Sequence, residues 1–349
     1  MEFKINSNNI GINFPPYIIA EMSGNHNNSL NKAIEIVEAA AKANVHAIKL
    51  QTYTPDTMTL DIHEREFLIQ NKDSPWYNQS LYNLYKSAYT PWEWHKPIID
   101  RANELGLTCF SSPFDETAVD FLESLNLPAY KIASFECIDI PLIKKVASTG
   151  KPMIISTGMA NVSEIYEAVE TARKYGCSKL AILKCTSTYP ANPKDSNLST
   201  ISHMRDLFNC EVGLSDHSLG IGAAVASIAF GSSIIEKHLT LNRSDGGTDS
   251  CFSLEPDEME SLVRETNNAK NAIGKIHYGP IDLENNASNR RRSLYFSKDL
   301  SSGEIVNKNN IKSIRPGKGL PPKYLTLLLG KKVKNKIKKG TPVSWDHFL

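Results

Sequence analysis

The chain alternates short β-rich segments with amphipathic helical segments, and this alternation occurs eight times. The predicted strands lie at residues 17–22, 47–53, 108–112, 129–134, 153–157, 180–186, 211–215 and 234–240. Helical patterns follow most of them, for example after Ser29, Asp115 and Asn161, which are suited to helix N-caps. Eight such repeats predict an α/β fold in which a parallel sheet closes into a (β/α)₈ TIM barrel. A doubly wound open sheet is the alternative, but no GxGxxG motif follows the first strand.

The pattern changes in the last quarter of the chain. A length of 349 residues suggests about two domains. We assign residues 1–278 to the barrel, the polar, Gly- and Pro-containing residues 279–290 to a linker, and 291–349 to a small, mostly β domain. The connection at residues 54–91 is long and rich in aromatic and charged residues, so we expect extra helices over the barrel mouth.

Composition excludes several functional classes. The formal net charge is +1, which gives no support to nucleic-acid binding as the main role. No run of about 20 apolar residues predicts a membrane helix, and the N-terminus does not resemble a signal peptide. The six cysteines are scattered without a CxxC pair, which indicates reduced thiols in a cytoplasmic protein. A lysine cluster near the C-terminus is interpreted as a solvated surface that protects an edge strand; it comprises Lys331, Lys332, Lys334, Lys336, Lys338 and Lys339.

Two histidines close consecutive predicted strands. His217 follows one strand, His238 ends the next, and a single short helix separates them. Parallel neighbouring strands would present both imidazoles at the same edge of the sheet. Two imidazoles with a carboxylate suit Mn, Zn or Fe, whereas the alternative is a pair of solvated loop histidines.

Polar side chains also occur inside the predicted strands, where parallel sheets are normally apolar. Lys49, Lys131 and Lys184 would be costly there unless they are paired or bind an anion. With the hydroxyls of Ser112, Ser134 and Ser156 they predict a phosphate or carboxylate pocket. A lysine Schiff base, as in barrel aldolases, is the competing chemistry.

Glu21 ends the apolar strand Tyr17-Ile18-Ile19-Ala20. At the carboxyl end of a barrel strand it could act as a general acid or base. Pairing with a strand lysine is the alternative.

Ten motifs in order resemble the sialic acid synthase family, which condenses phosphoenolpyruvate with an amino sugar to form a nonulosonic acid. They are IAEMSGNHNNSL, IKLQTY, SSPFD, YKIAS, ISTGMA, KCTSTYPA, GLSDHS, IEKHLT, DSCFSLEP and IRPGKGLPP. The resemblance covers nearly the whole chain. It implies a TIM barrel followed by an antifreeze-like (SAF) domain, and a domain-swapped homodimer in which that domain covers the partner's barrel mouth.

The resemblance also implies roles for individual residues. His217 and His238 match the metal ligands, usually of Mn²⁺, and Glu21 matches a glutamate that acts on the attacking water or the sugar. The residues that match the phosphoenolpyruvate pocket are Lys49, Ser112, Lys131, Ser134, Ser156 and Ser187. Those that match positions around the sugar and metal are Gln51, Phe114, Tyr189, Glu236 and Asp249. Arg315 matches an arginine that the small domain offers to the sugar's acyl group across the dimer.

Three departures bear on the sugar. The N-acetylneuraminate branch reads GPDH after the last strand, whereas this chain reads GGTDSCFS at residues 246–253. The first motif reads EMSGNHN, and Ser187 stands where that branch often has asparagine. These variants resemble the pseudaminic acid synthases, whose sugar is a 6-deoxy-2,4-diacetamido hexose of altro configuration. Synthesis of N-acetylneuraminate or legionaminate on the same scaffold is an alternative, and a non-catalytic sugar- or phosphate-binding protein is another.

Overall fold

A computed structural model describes residues 2–72, 74–288 and 290–349, and it contains a closed barrel of eight parallel strands. The barrel strands are β3 (Tyr17–Glu21), β4 (Ala47–Thr52), β5 (Thr108–Pro113), β6 (Tyr130–Ile132), β7 (Met153–Ser156), β8 (Leu180–Cys185), β9 (Glu211–Ser215) and β10 (Ile234–His238). Each strand pairs with the next along the chain, and β10 pairs with β3. The predicted (β/α)₈ barrel is therefore confirmed.

Helices surround this barrel in sequence order. They are α1 (Leu30–Lys42), α2 (Pro55–Met58), α3 (Leu81–Ala88), α4 (Trp92–Glu104), α5 (Glu116–Ser124), α6 (Ile140–Ala147), α7 (Val162–Lys174), α8 (Thr200–Phe208), α9 (Gly222–Ser227) and α10 (Pro256–Ile273). The predicted caps act as expected: the side chains of Ser29, Asp115 and Asn161 accept backbone N–H groups of the first turn.

The inside of the barrel changes from apolar to polar along several of its strands. Side chains two residues apart share a face, so Ile19 precedes Glu21, Ala47 precedes Lys49 and Phe110 precedes Ser112. The lower positions, nearer the N-terminal ends of the strands, form a buried apolar layer. The upper, C-terminal positions carry the charged and hydroxyl groups, which places the chemistry at one end of the barrel.

An N-terminal hairpin closes the lower end, which the sequence patterns did not indicate. Strands β1 (Phe3–Ile5) and β2 (Asn8–Ile10) pair antiparallel. Phe3, Ile5 and Ile10 are buried in the same cluster as the lower interior layer. The hairpin thus keeps water from the apolar end of the barrel.

The long connection between β4 and α4 contains α2, α3 and a 3₁₀ turn at Arg65–Phe67. The Trp76 indole donates a hydrogen bond to the Thr248 carbonyl (3.0 Å) and lies 5.7 Å from the Tyr189 ring, measured between ring centroids. Both partners belong to loops at the carboxyl ends of barrel strands, so the connection does cover part of the barrel mouth.

The chain divides into two compact units, Met1–Gly274 and Lys275–Leu349. The second contains α11 (Asp282–Ser288), α12 (Leu325–Leu328) and the antiparallel pair β11 (Ser293–Phe296) and β12 (Ile311–Ile314). It has its own core, which includes Leu294, Phe296 and Val333. The assignment of residues 279–290 to a linker stays a prediction, although α11 lies within that segment. Along the described ranges, no helix is long and apolar enough to cross a membrane.

Candidate active site

Four buried charged side chains meet at the upper end of the barrel interior. Lys49 forms an ion pair with Glu21, and its Nζ lies 3.8 Å from Glu236 Oε1. Lys131 Nζ lies 3.7 Å from that same oxygen. Each of the four side chains is at most 4% exposed. Two ammonium groups and two carboxylates balance one another, so the cluster can be buried without net charge.

Burial and mutual interaction shift the pKa values of this cluster. Burial raises the pKa of Glu21, and Glu236 adds to that effect against the opposing attraction of Lys49. Burial alone would lower the pKa of Lys49, but the neighbouring carboxylates of Glu21 and Glu236 outweigh it and raise that pKa. Burial lowers the pKa of Lys131. Glu21 is therefore a buried carboxyl group whose pKa is raised by its surroundings, and this direction suits a general acid or base.

Hydroxyl groups surround the two lysines. Lys49 Nζ donates to Ser112 Oγ (3.2 Å), and Lys131 Nζ donates to Ser156 Oγ (2.6 Å). The hydroxyls of Ser134 and Ser187 lie beside Gly158, where a Cβ atom would overlap them, and the Gly158 N–H donates to Ser134 Oγ (3.2 Å). Lysine ammoniums, hydroxyls and a backbone N–H form a set of donors suited to phosphate and carboxylate oxygens.

Lys184 does not join this set. Lys184 and Cys185 are adjacent in β8, so their side chains point to opposite faces of the strand. The Cys185 thiol faces His217 inside the barrel mouth. Lys184 Nζ instead donates to the Cys185 carbonyl (2.9 Å) and to Thr186 Oγ1 (3.2 Å). The predicted anion pocket therefore has two lysines rather than three.

His217 and His238 lie side by side as predicted, with ring centroids 5.3 Å apart and both side chains buried. His217 Nδ1 is 3.0 Å from the Thr186 carbonyl, so Nδ1–H donates there and Nε2 is left as an acceptor. Burial, with the positive groups nearby, lowers the pKa of His238 well below its usual value, which favours the neutral, metal-binding imidazole.

These two imidazoles fit a divalent metal ion. His238 Nδ1 and Glu236 Oε2 are buried and have no hydrogen-bond partner within the described part of the chain. No group of three or more His, Cys, Asp or Glu side chains in residues 2–72, 74–288 and 290–349 is arranged to hold a metal. Two protein ligands leave positions for water and substrate oxygens, as in catalytic rather than structural sites.

Two of the residues assigned to the sugar, Tyr189 and Asp249, lie beside the histidines. The Tyr189 ring lies 4.6 Å from that of His217, and Asp249 Oδ2 lies 3.5 Å from His238 Nδ1. Phe114 contacts the Tyr53 ring at 5.3 Å. Gln51 shares a strand face with Lys49, two residues further along β4. Arg315 is exposed, in the loop after β12 of the second unit.

Glu136 and Phe252 also belong to the mouth. Phe252 lies in the segment 246–253 that the sequence connects with the sugar, whereas the sequence patterns did not single out Glu136. Phe252 is 2% exposed and contacts both histidine rings. Glu136 has a buried Oε2 without a hydrogen-bond partner in the described residues, and burial raises its pKa to about 7. Its carboxyl group interacts electrostatically with Lys131 and Tyr189. Glu136 lies in a 3₁₀ turn beyond β6, where strand periodicity carries no signal.

Comparison with known proteins agrees with this geometry. A sequence profile of the NeuB family matches residues 36–278, and a SAF-domain profile matches residues 291–349. Pseudaminic acid synthase of Campylobacter jejuni is 44% identical over 335 residues, covering 95% of this chain and 96% of that protein. Pseudaminic acid synthase of Helicobacter pylori is 41% identical over 339 residues, covering 96% and 98%.

A solved structure has the same fold. The N-acetylneuraminic acid synthetase of Leptospira borgpetersenii superposes with a TM-score of 0.73 at 32% identity, over 82% of this chain and 95% of that one. The predicted TIM barrel with a C-terminal SAF domain and the resemblance to the sialic acid synthase family are both confirmed. The chain belongs to the NeuB family.

Proposed function

We propose that this protein is a pseudaminic acid synthase. It would condense phosphoenolpyruvate with 2,4-diacetamido-2,4,6-trideoxy-altropyranose and water, and release pseudaminic acid and phosphate. The observation that carries the proposal is the 41–44% identity over about 95% of the chain to two enzymes of that name. Identity to the N-acetylneuraminic acid synthetase is lower, at 32%.

The buried charged cluster supports the binding of phosphoenolpyruvate. Lys49 and Lys131, with the hydroxyls of Ser112, Ser134, Ser156 and Ser187, would hold its phosphate and carboxylate groups. Before the substrate enters, the two lysines are neutralised by Glu21 and Glu236. Binding would thus exchange ion pairs within the protein for contacts with the substrate.

In the proposed reaction, these groups would act on phosphoenolpyruvate and the open-chain sugar. The enol carbon of phosphoenolpyruvate attacks the aldehyde carbon of the open-chain sugar and forms the new C–C bond. Water adds to the resulting oxocarbenium carbon, and phosphate leaves by cleavage of the C–O bond. Glu21, with its raised pKa, would hold or accept the proton that these steps move, and the lysines would stabilise the charge on phosphate.

His217 and His238 would hold the metal, for which we propose Mn²⁺. The ion would supply Lewis-acid polarisation of the aldehyde. Chelator treatment should abolish turnover, and Mn²⁺ should restore it. Titration calorimetry should detect Mn²⁺ binding to the wild type and its loss in His217→Ala; full activity after rigorous metal removal would contradict the proposal.

The substrate is tested by single-turnover reactions of phosphoenolpyruvate with each candidate sugar, read by mass spectrometry. We expect product only, or fastest, with the 2,4-diacetamido-altro sugar. Faster reaction with N-acetylmannosamine, or with the sugar that gives legionaminate, would favour the alternative synthases. No product from any sugar would favour a non-catalytic binding protein, which the presence of Glu21, both lysines and both histidines argues against.

We also propose that the protein is a homodimer in the cytoplasm. Apolar residues that are more than half exposed occur in the turn Phe135–Ile138 and at the start of α7, which packs on it; they are Phe135, Ile138, Met159, Val162 and Tyr166. An exposed apolar patch of this kind suits a protein interface. All six cysteines are free thiols, which supports a reducing compartment.

A further inference from the structure

The loop that follows β3 holds the segment that follows β10 by hydrogen bonds, and we call these contacts the grip. Asn25 is 2% exposed, and its Nδ2 donates to the Leu239 carbonyl (2.9 Å) and to Ser253 Oγ (2.9 Å). Its Oδ1 accepts the backbone N–H of Asp249 (3.2 Å). One buried amide therefore fixes three points of a segment more than 200 residues away in sequence.

Neighbouring residues add to this grip. The Ser23 hydroxyl donates to Asp249 Oδ2. Asn27 Nδ2 donates to the Asp245 carbonyl (3.0 Å), and Ser253 Oγ, which accepts from Asn25, donates in turn to the Asp249 carbonyl (2.7 Å). We call Ser23, Asn25 and Asn27 the latch.

The gripped segment has little regular structure of its own. Residues 243–252 contain two short 3₁₀ turns, Arg243–Asp245 and Ser250–Phe252. Arg243 anchors the N-terminal end of this segment through its ion pair with Glu258. Between the two turns the backbone is held by the latch and by the Trp76 indole, which donates to the Thr248 carbonyl. A side chain at Gly247 would meet Asn25 Oδ1 at 2.9 Å.

We propose that Asn25 is a positioning residue for the amino-sugar site. By holding residues 245–253 it places Asp249 beside His238 and Phe252 over both histidine rings. Asn25 itself contacts neither histidine by any bond described above, so it acts through the segment. The hydrogen bonds between Asn25 and the segment do not depend on the proposed function, whereas the role of the segment in sugar binding rests on it.

The test compares Asn25→Ala and the milder Ser253→Ala with a matched control. Asn310 is a buried asparagine (4% exposed) in the second unit with the same bonding pattern: its Nδ2 donates to the Ile305 carbonyl and its Oδ1 accepts the Asn307 N–H. Cys251 is the exposed cysteine among six and lies inside the gripped segment, so it reports on the segment directly.

In Asn25→Ala, amide exchange in residues 245–253 should quicken, and the Cys251 thiol should react with Ellman's reagent about tenfold faster, because three hydrogen bonds are lost. KM for the amino sugar should rise about tenfold while the Kd for phosphoenolpyruvate changes by less than about twofold. Ser253→Ala should show the same changes at smaller size, and Asn310→Ala none of them.

Unchanged exchange and Cys251 reactivity in both Asn25→Ala and Ser253→Ala would overturn the grip. A loosened segment with an unchanged KM for the sugar would overturn the positioning role. If the wild type turns over no amino sugar, the proposed function fails, and the exchange measurement still decides whether Asn25 holds the segment.

Discussion

At the residue scale, the ion pair of Glu21 and Lys49 shows how the site keeps its charges buried. Glu21, the proposed acid or base, forms an ion pair with a strand lysine, which was the alternative interpretation. The two are compatible because the pair neutralises Glu21 until a substrate anion competes for Lys49. What the sequence could not show is that Glu236 is shared between both lysines.

Removing Lys49 alone should destabilise the fold strongly. Lys49→Met leaves Glu21 and Glu236 buried with one cation fewer, which costs about 3–5 kcal/mol when a buried pair is broken. The double variant Glu21→Gln/Lys49→Met should recover a large part of that loss. Urea unfolding at neutral pH measures both; a double variant no more stable than Lys49→Met would contradict this account.

His95 should make stability depend on pH. Its Nε2 accepts from the Thr52 hydroxyl (2.7 Å), its Nδ1–H donates to the Pro91 carbonyl (3.3 Å), and burial lowers its pKa to about 4. The unfolded chain takes up this proton near pH 6.5. The neutral histidine therefore contributes fully above about pH 6.5, and its contribution is lost as the pH falls towards 4.

The measurement is the free energy of unfolding of the wild type and of His95→Gln between pH 7 and pH 4. The difference between them should shrink by on the order of 3 kcal/mol over that range. The exposed His203→Gln is the control, and its profile should run parallel to that of the wild type. Parallel profiles for His95→Gln as well would show that His95 is not held neutral by the fold.

At the element scale, the strands were predicted to within two residues because their apolar runs are bounded by clear turn and cap residues. Period-two alternation also identified which side chains point inward, and it correctly grouped Lys49 with Gln51. It failed for Lys184, because a single lysine in a strand does not reveal which face of the strand it occupies. The N-terminal hairpin was missed because two three-residue strands carry almost no pattern.

Gly213 should be essential to the spacing of β9 and β10. A Cβ at this position would overlap the Ile234 carbonyl oxygen of the neighbouring strand. Gly213→Ala should therefore force the strands apart, destabilise the barrel by at least about 2 kcal/mol and weaken Mn²⁺ binding, since each strand leads to one of the two histidines.

Gly222 provides the matched control. A Cβ there would have no atom within 4 Å, and the residue starts α9. Gly222→Ala should be neutral or slightly stabilising, because alanine favours the helix. Thermal unfolding and Mn²⁺ titration of both variants test the pair; equal behaviour would refute the proposed close contact.

At the scale of the whole molecule, charge is distributed unevenly between the two units. Lysine and arginine outnumber aspartate and glutamate in Lys275–Leu349, and the reverse holds in Met1–Gly274, although the whole chain is nearly neutral. Arg315, whose action across a dimer stays a prediction, belongs to the basic unit.

Subunit mixing tests whether Arg315 acts across a dimer. Arg315→Met and Lys131→Met should each be nearly inactive as pure proteins. After random exchange of subunits, half of the dimers contain one of each, and each such dimer has one intact barrel that receives Arg315 from its partner. Activity should then return to about a quarter of the wild-type value. No recovery after verified exchange would mean that Arg315 serves its own barrel or neither.

The sequence by itself determined the barrel, the small C-terminal domain and the types of residue at each strand end, because these follow from local periodicity, capping and motif order. Only the tertiary structure decided which of those residues meet. Asn25 and Ser253 are 228 positions apart, and Lys49 and Ser112 are 63 apart, yet both pairs are hydrogen-bonded. Closing the barrel brings the first and last strands together, and no local pattern encodes that contact. The latch, the shared Glu236 and the buried carboxyl group of Glu136 depend on this closure and on burial, so they became visible only in three dimensions.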